Sequence, residues 1–231
     1  RFGVARASLS LLKGHALHAR YGRYAKNAKN FHDTSYFSHE IVSSARIERR
    51  SAELLAGERP VRLVYCGRLI SRKGVNESIA AVARARASGA NVTLDIIGDG
   101  PARELLQQQA AQLGASRAIT FHGTRVYGAA LLSDLAQYDA LLFTPLAEDT
   151  PRMIFDGYAA GLPVLGYGID YMREREAEDG AARTVPVSDT SQAAALLCKL
   201  DRERDQLASL ARNAHEAARY HAADAWYRRR A

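Results

Sequence analysis

The chain has 231 residues, with 32 Lys and Arg against 25 Asp and Glu, giving a formal net charge of +7 at pH 7. Its 47% hydrophobic and 25% charged residues are typical of a globular protein and argue against a disordered or fibrous chain. The positive charge indicates an anionic ligand, such as a phosphate group, nucleic acid or acidic lipid, without choosing among them.

The two cysteines, Cys66 and Cys198, lie far apart in apolar surroundings and show no metal-ligand spacing. A reducing, cytosolic location is therefore expected. No apolar run approaches the roughly 18 residues of a membrane span, and no signal peptide is apparent. The chain begins with Arg1 rather than Met, and we interpret it as a piece of a longer protein.

Residues 1–30 are strongly basic, with no Asp or Glu among them. Leu9, Leu12 and Leu17 fall near helical spacing, although Gly14 weakens that pattern. Two interpretations remain open. The segment is either a basic amphipathic helix that contacts acidic lipid, or a helix of an upstream domain whose charges are solvated.

Residues 31–60 are interpreted as an interdomain connection that ends in a charged helical run, SSARIERRSAELLAG. The two histidines of this segment, His32 and His39, are expected to be structural or surface residues rather than catalytic ones.

From Val61 onwards, apolar strands alternate with amphipathic helices. Strands are predicted at residues 61–66, 92–97, 119–121, 140–143, 163–166 and 184–187. Helices are predicted at residues 75–87, 101–113, 129–137, 153–160 and 190–200, and from about 203 to 227. This alternation predicts βαβ units and hence an α/β fold with a Rossmann-like parallel sheet and helices on both faces.

Arg68 and Lys73 follow the first of these strands, in a loop that is bounded by Gly67 and Gly74 and opens a helix. Glycine lets a backbone approach a ligand closely. Two cations beside a helix N-terminus suit a diphosphate group without any metal ion. The alternative is that both are merely solvated loop residues.

Residues 148–168, EDTPRMIFDGYAAGLPVLGYG, form a second candidate site. Glu148 and Asp149 precede Thr150, a candidate helix N-cap, and Pro151, which suits the first helical position. A further acid, Asp156, lies on the predicted helix. Open α/β sheets bind ligands beyond the carboxyl ends of their strands, so this unit is expected to present polar groups at a binding edge.

These motifs resemble those of the retaining glycosyltransferases of family 4, which have the two-Rossmann-domain GT-B fold. Glu148 and Asp156 match the E-x7-E signature with Asp in second place, and GLPV at 161–164 matches the G-x-P-V that follows it. GRLISRKG at 67–74 is similar to the phosphate loop G-R-L-x-x-x-K-G, and IGDGP at 97–101 to the I-G-x-G-P turn. The resemblance covers roughly residues 61–227.

The resemblance implies three parts. Residues 1–60 would be a mostly helical remnant of an N-terminal domain with the interdomain linker. Residues 61–205 would be the Rossmann-like donor-binding domain, one half of a GT-B protein, and residues 206–231 a C-terminal crossover helix. With most of the other half absent, this chain alone is expected to lack full activity.

The implied reaction is transfer of a hexose-type sugar from a nucleoside-diphosphate-sugar, a UDP- or GDP-sugar, with retention at the anomeric carbon. The acceptor would be a glycan, a lipid or a small molecule. Carried over by position, three residues would be catalytic, namely Arg68, Lys73 and Glu148. Donor binding would use the residues that line the nucleotide, sugar and phosphates, namely Gly67, Arg68, Lys73, Arg125, Glu148, Thr150 and Asp156.

Within this set, the cations would stabilise the charge that grows on the leaving diphosphate. Glu148 would lie near the donor sugar, Asp156 would accept hydrogen bonds from the ribose hydroxyls, and Arg125 would stack on the nucleobase. No Asp-x-Asp motif and no metal-ligand cluster appear in the sequence, so a metal-independent enzyme without a cofactor is expected.

Two departures from the family pattern bear on activity. Asp156 is one methylene shorter than the Glu it replaces. The usual Gly-rich turn, E-G-F-G, is here Glu148-Asp149-Thr150-Pro151, in which Pro151 has no N–H and Asp149 adds a negative charge where the diphosphate should lie. These departures keep open an alternative, a catalytically degenerate partner subunit that binds a nucleotide-sugar.

Nucleic acid is not expected as a partner, since aromatic residues make up only 8% of the chain and few fall in the predicted strands. The expected location is cytoplasmic, with peripheral contact at the inner face of a membrane as an option.

Overall fold

The structure, a computed structural model, describes residues 2–228. Its strands are β1 (Ser10–Lys13), β2 (Ala28–Phe31), β3 (Val61–Cys66), β4 (Val92–Ile97), β5 (Ile119–Gly123), β6 (Ala140–Phe143), β7 (Val164–Tyr167) and β8 (Ala182–Val185). Its helices are α1 (Phe2–Arg6), α2 (Gly14–Tyr21), α3 (Ser44–Leu55), α4 (Val75–Ala87), α5 (Arg103–Gln112), α6 (Ala129–Leu135), α7 (Met153–Ala159), α8 (Asp170–Asp179), α9 (Thr190–Arg202), α10 (Arg204–His221) and α11 (Ala223–Arg228). Short 3-10 helices lie at Gly22–Tyr24, Ser38–Glu40 and Ser71–Lys73.

Strands β3 to β8 form one six-stranded, all-parallel sheet in the order β5-β4-β3-β6-β7-β8. Every residue of β6 and of β7 is buried, as expected for parallel strands that are covered on both faces. The predicted α/β fold with a Rossmann-like parallel sheet is therefore confirmed.

The direction in which the chain adds strands reverses between β3 and β6. From β3 the chain moves outward to β4 and β5, whereas from β6 it moves the other way to β7 and β8. Because such crossovers are right-handed, α4 and α5 lie on one face of the sheet, and α7 and α8 lie on the other. A gap between strands where the order reverses is where open α/β sheets bind their ligands.

Close packing fixes α7 against the sheet. A Cβ atom on Gly157 would lie 2.1 Å from Leu141 Cδ1 of β6, so only glycine lets the helix approach this strand. Helix α10 then packs on α7 and on α3. The buried side chains form one continuous core that includes residues of α3, α7 and α10.

Arg50 joins α3 to the ends of two other helices. Its side chain is 4% exposed and donates to the carbonyl oxygens of Ala160, at 3.0 Å, and of Gly161. A third contact, 3.3 Å long, reaches the carbonyl of Ala136 after α6. Carbonyls at helix C-termini have no partner within the helix, and Arg50 supplies one to each of these buried groups.

The single helix that both interpretations assumed for residues 1–30 is wrong. Strands β1 and β2 pair in parallel as a separate two-stranded sheet, and α2 makes the connection between them. The physical reason is visible at Gly14, where φ is +79° and a Cβ atom would lie 2.8 Å from the Tyr171 ring. The chain turns there against α8 instead of continuing one helix.

The predicted final helix is present over almost its whole length, but it is broken in two at Ala222. Ala222 is extended, with ψ at 143°, and the Ala223 N–H donates to the carbonyl of Tyr36 at 2.9 Å. Residues 229–231 of the predicted crossover helix lie outside the described residues. Among residues 2–228, no helix combines the length and the apolar character that crossing a membrane requires.

Candidate functional site

Two loops meet where the strand order reverses, one after β3 and one after β6. The first holds residues 67–74, and the second holds residues 144–152. The Leu146 N–H donates to the Arg72 carbonyl at 3.0 Å, and the Thr144 hydroxyl donates to the Gly74 carbonyl at 2.7 Å. We call these two segments the switch-point loops. They bring together the phosphate-loop motif and the acidic motif of the sequence.

Gly74 is the position at which the first loop has to be glycine. Its φ is +65°, in the left-handed region, and a Cβ atom there would lie 1.8 Å from the Thr144 carbonyl oxygen. A side chain would therefore push the two loops apart and displace Lys73, the preceding residue.

The glycine turn at 97–101 packs against the first loop and forms backbone hydrogen bonds with it. The Gly67 N–H donates to the Ile97 carbonyl, and the Leu69 N–H donates to the Asp99 carbonyl, both at 2.9 Å. A Cβ atom on Gly98 would lie 1.9 Å from the Gly67 carbonyl oxygen. The glycines of this turn thus allow the two loops to pack backbone to backbone.

Lys73 is paired with Asp149 across the switch-point loops. The ammonium group contacts Asp149 Oδ2, and each of the two side chains is 16% exposed. Arg72 Nη1 lies 3.7 Å from the same oxygen, while Asp149 Oδ1 accepts the Thr150 N–H at 3.0 Å. Asp149, which was expected to repel a diphosphate, thus binds Lys73, one of the two cations predicted to hold the diphosphate, and the neighbouring Arg72.

The other two residues predicted to be catalytic lie at the exposed rim. Arg68 is exposed, and no ion pair joins it to any acid within residues 2–228. Glu148 is also exposed, and its Oε1 accepts the N–H of Asp170, the first residue of α8, at 2.8 Å. A carboxylate is stabilised by the positive end of a helix dipole, so Glu148 has a local partner in the absence of ligand.

Asp156 is completely buried, on the first turn of α7. Its Oδ1 accepts the Tyr127 hydroxyl at 2.9 Å, and its Oδ2 has no hydrogen-bond partner within the described residues. Burial raises the pKa of this carboxyl to about 6, against a smaller lowering by the Tyr127 hydrogen bond. An ionised Asp156 therefore has an unused acceptor atom.

Tyr127 is a residue that the sequence interpretation missed. It lies in the loop after β5, two residues beyond Arg125, and Arg152 lies over its ring with the guanidinium carbon 5.0 Å from the ring centroid. Arg125 itself donates to the His122 carbonyl at 3.1 Å and lies 3.7 Å from Asp134 Oδ2. The loop after β5 therefore reaches Asp156 through its tyrosine rather than through the predicted arginine.

Thr150 is not the N-cap of α7, and Pro151 is not its first residue, contrary to the sequence prediction. The helix begins at Met153 after Arg152. The reason is local, because the Asp149 side chain already holds the Thr150 N–H, and the Ile154 N–H forms a turn with the Pro151 carbonyl. At seven residues, α7 contributes little of its own to an anion site.

A group with metal-ligand character lies elsewhere, between α2 and α8. Among the described residues, His15, Glu174 and Glu178 have donor atoms within 4.8 Å of one another. Both acids already contact Arg175, however, and Glu174 also accepts the His15 N–H. These carboxylates thus have partners within the chain.

Comparison with known proteins identifies the family. Residues 46–217 match the sequence profile of the family described as Glycosyl transferases group 1. The chain is similar to a glycogen synthase of Mycobacterium tuberculosis, with 33% identity over 115 residues, which are 50% of this chain and 28% of that enzyme.

A second relative is the GDP-mannose-dependent alpha-(1-6)-phosphatidylinositol monomannoside mannosyltransferase of Mycolicibacterium smegmatis. It is 33% identical over 140 residues, which are 61% of this chain and 33% of that enzyme. The aligned segments span a third or less of these two curated relatives.

The fold is similar to the crystal structure of Anabaena HepE in complex with UDP. The TM-score is 0.74 at 21% sequence identity, and the match covers 92% of this chain and 59% of that one.

Proposed function

We propose, from the premise that this chain belongs to the group 1 glycosyl transferases, that its switch-point loops hold the nucleoside diphosphate of a sugar donor. The whole protein would transfer the sugar from a UDP- or GDP-sugar to a glycan, lipid or small-molecule acceptor. UDP is bound in the similar HepE structure, and the mannosyltransferase of Mycolicibacterium smegmatis is named as GDP-mannose-dependent.

The observation that carries this proposal is the contact between Lys73 and Asp149. Arg72 and Lys73 already surround an anion at the place where the strand order reverses, and Arg68 has no acid partner within the described residues. Like the Asp149 carboxylate, a diphosphate presents anionic oxygen atoms, and it carries more negative charge. We infer that it takes the place of the Asp149 carboxylate on these cations.

On this proposal, the cations act mainly as the sugar bond breaks. Negative charge grows on the leaving diphosphate, and cations that are already in place stabilise it without any reorganisation. Arg68 is free to form paired hydrogen bonds with phosphate oxygens through its planar guanidinium group.

The remaining predicted roles follow from the same placement. Asp156 would accept hydrogen bonds from the ribose through its unpartnered Oδ2. Glu148 would leave the Asp170 N–H to contact the sugar, and Arg125 would leave its own loop to stack on the base. Retention of anomeric configuration is supported by the family 4 motifs, with the leaving phosphate as base on the same face.

A degenerate partner subunit is not favoured by the comparisons, because the two similar proteins are named as enzymes, a glycogen synthase and a mannosyltransferase. We propose a cytoplasmic, metal-independent reaction. Contact of the basic residues 1–30 with acidic lipid is part of the same proposal.

The test is isothermal titration calorimetry of the full chain with UDP, GDP, uridine and guanosine, with and without magnesium. Lys73→Ala should weaken binding of the preferred diphosphate by roughly 10- to 100-fold, the scale of a hydrogen bond to a charged group. Binding of the matching nucleoside should change little. Lys199→Ala is the control, since Lys199 is half-exposed on α9.

Equal weakening of diphosphate and nucleoside by Lys73→Ala would overturn the assignment of Lys73 to the phosphates. Binding that requires magnesium would overturn the metal-independent arrangement.

A further inference from the structure

A groove runs along α3 and separates it from α6. Its larger part has a volume of about 650 Å³ and lies between α3, α6 and the 3-10 helix at Ser38–Glu40. Its smaller part, about 300 Å³, lies between α3 and the end of α6. Arg46 and Arg49 line both parts, so they form one continuous surface, which we call the α3 groove.

The cations of the α3 groove lack acid partners. No ion pair joins Arg46, Arg49 or Arg62 to any acid within residues 2–228, and Arg62 Nε is buried without a hydrogen-bond partner. The two acids on the groove wall are engaged elsewhere. Glu40 accepts the Phe37 N–H at 2.8 Å, and Glu53 lies 4.0 Å from Arg59 Nε.

The excess positive charge acts on the buried arginine behind the groove. The pKa of Arg50 falls to about 10, chiefly through burial and further through the nearby charges of Arg46, Arg59 and Arg62, against an opposing effect of Asp139. Arg50 cannot relieve this repulsion by moving, because backbone carbonyls at the ends of α6 and α7 hold its guanidinium group. An anion in the groove would relieve it.

The rest of the lining is apolar or uncharged. Small and aliphatic side chains form the wall on the α6 side and the floor, namely Val42, Ala45, Ala129, Leu132 and Ala136. His39, Ser43 and Ser133 add polar groups at the edge. A ligand that fits this lining carries an anionic group for the arginines and a body with an apolar face.

We propose that the α3 groove is a second phosphate-binding site, which takes a phosphate group carried on a partly apolar body. Guanidinium groups bind phosphate oxygens in pairs, and Arg46 and Arg49 are one turn apart on the same helix face. This site is separate from the switch-point loops, because none of Arg68, Arg72 and Lys73 lines it.

Calorimetric titration of the full chain with inorganic pyrophosphate at low ionic strength tests the proposal. The wild-type protein should show two sites, one in the switch-point loops and one in the α3 groove. Arg46→Ala/Arg49→Ala should weaken the groove site about tenfold or more and keep the other. Lys73→Ala should have the opposite effect, so failure of one site is distinguishable from failure of the other.

Arg117→Ala/Arg202→Ala is the matched control, because it removes two exposed arginines from other parts of the surface. Two sites with unchanged affinity in Arg46→Ala/Arg49→Ala would overturn the proposal, as would an equal loss in the control. The melting temperature of each variant shows whether it is folded. If the alanine variant is unstable, Arg46→Lys/Arg49→Lys takes its place. It keeps the charge but removes the paired guanidinium contacts, so pyrophosphate affinity at the groove site should fall, and wild-type affinity at both sites in this variant would overturn the proposal.

The phosphate could belong to a soluble molecule or to a lipid headgroup, and sedimentation with vesicles separates the two. The probe is vesicles of equal parts phosphatidylcholine and phosphatidylglycerol, compared with phosphatidylcholine alone. Loss of sedimentation in Arg46→Ala/Arg49→Ala supports the site with a lipid phosphate as its ligand. Unchanged sedimentation together with lost pyrophosphate binding supports it with a soluble one.

Discussion

Two regions of the molecule hold clusters of partly buried ion pairs, and they differ in which charge is in excess. Around Arg175 on α8, whose side chain is 0% exposed, three acids surround one cation, namely Glu174, Glu178 and Asp179. In the switch-point loops, Arg72 and Lys73 share one acid, Asp149. An excess of acids leaves no place for an anionic ligand, whereas an excess of cations does. The balance of charge therefore separates a structural cluster from a binding site.

The two regions also differ in how far their neighbouring side chains are exposed to solvent. Aromatic rings pack beside the Arg175 region, and His32 lies among them with its Nδ1 2.8 Å from the Tyr171 hydroxyl. Burial lowers the pKa of His32 to about 3, so this histidine stays neutral in the folded protein near pH 7. In the switch-point loops, by contrast, Arg68 and Glu148 are exposed.

The largest effect should come from removing the cation of the structural region. Arg175→Met removes the guanidinium group that contacts both Glu174 and Asp179, whose side chains are each 8% exposed. We expect the free energy of unfolding to fall by about 3–5 kcal/mol in urea denaturation. UDP affinity of the folded variant should stay within about twofold of the wild-type value, because the ion-pair partners of Arg175 all lie on α8 and not in the switch-point loops.

Arg173→Met on the same helix is the control, because its ion pair with Asp170 is more than half exposed and is expected to contribute no more than about 1 kcal/mol. Similar losses in both variants would contradict the distinction between the two regions.

The next effect concerns the pH dependence that Asp156 introduces. Its folded pKa of about 6 lies above the ordinary value of 3.8, so between these values the folded state holds a proton that the unfolded state has released. The contribution of Asp156 to the free energy of unfolding should therefore fall as pH rises from about 4 to 6, by at most about 3 kcal/mol.

Urea denaturation across that pH range, compared with Asp156→Asn, measures this contribution. The difference between the two proteins should decline with rising pH and level off above pH 6. UDP affinity should change in the opposite direction, rising as Asp156 ionises. A difference in unfolding free energy that is flat with pH would show that Asp156 keeps its ordinary pKa.

A smaller effect is expected from substituting Asp149, the acid that Arg72 and Lys73 share. This substitution should strengthen UDP binding, whereas most substitutions in a site weaken it. Asp149→Asn removes the internal anion that competes with a diphosphate for Lys73. UDP should bind about fivefold more tightly, the equivalent of about 1 kcal/mol for a partly exposed ion pair. Asp205→Asn, at an exposed position on α10, controls for the change in net charge. Weaker binding by Asp149→Asn would mean that the carboxylate assists the donor site.

The smallest effect should follow from Tyr127→Phe. The hydroxyl stabilises the ionised form of Asp156, so its loss should raise the pKa of that carboxyl further. The pH midpoint of UDP binding should move upward by less than about one pH unit, since a hydrogen bond of this kind contributes roughly 1 kcal/mol. Tyr138→Phe, which removes a hydroxyl bound to Asp95, should leave the midpoint unchanged.

The sequence predicted the sheet closely because its strands are apolar runs bounded by turn residues. The limits of β3, β4, β6 and α4 agree with the structure to the residue. Helix α8 was not predicted, since DYMREREAED has almost no apolar periodicity. Its buried side chains are those of Tyr171, Met172 and Arg175, and a hydrophobic pattern does not predict a buried arginine.

The candidate site was predictable in its loops but not in its contacts. The sequence pattern placed Lys73 in the loop after β3 and Asp156 on the helix after β6, as the structure has them. The pairing of Lys73 with Asp149 and of Asp156 with Tyr127 depends on how separate loops meet. The local sequence does not specify these contacts, because each joins residues that lie far apart in the chain.

The way in which Arg50 binds the ends of α6 and α7 bears on where this fold can be shortened. A fragment starting at Val61 would keep every strand of the main sheet, yet it would leave three inward-facing carbonyl groups, those of Ala136, Ala160 and Gly161, without their shared donor. It would also uncover the side of α10 that packs on α3. For recombinant expression, the smallest autonomous unit therefore begins before Ser44, although the sheet begins at Val61.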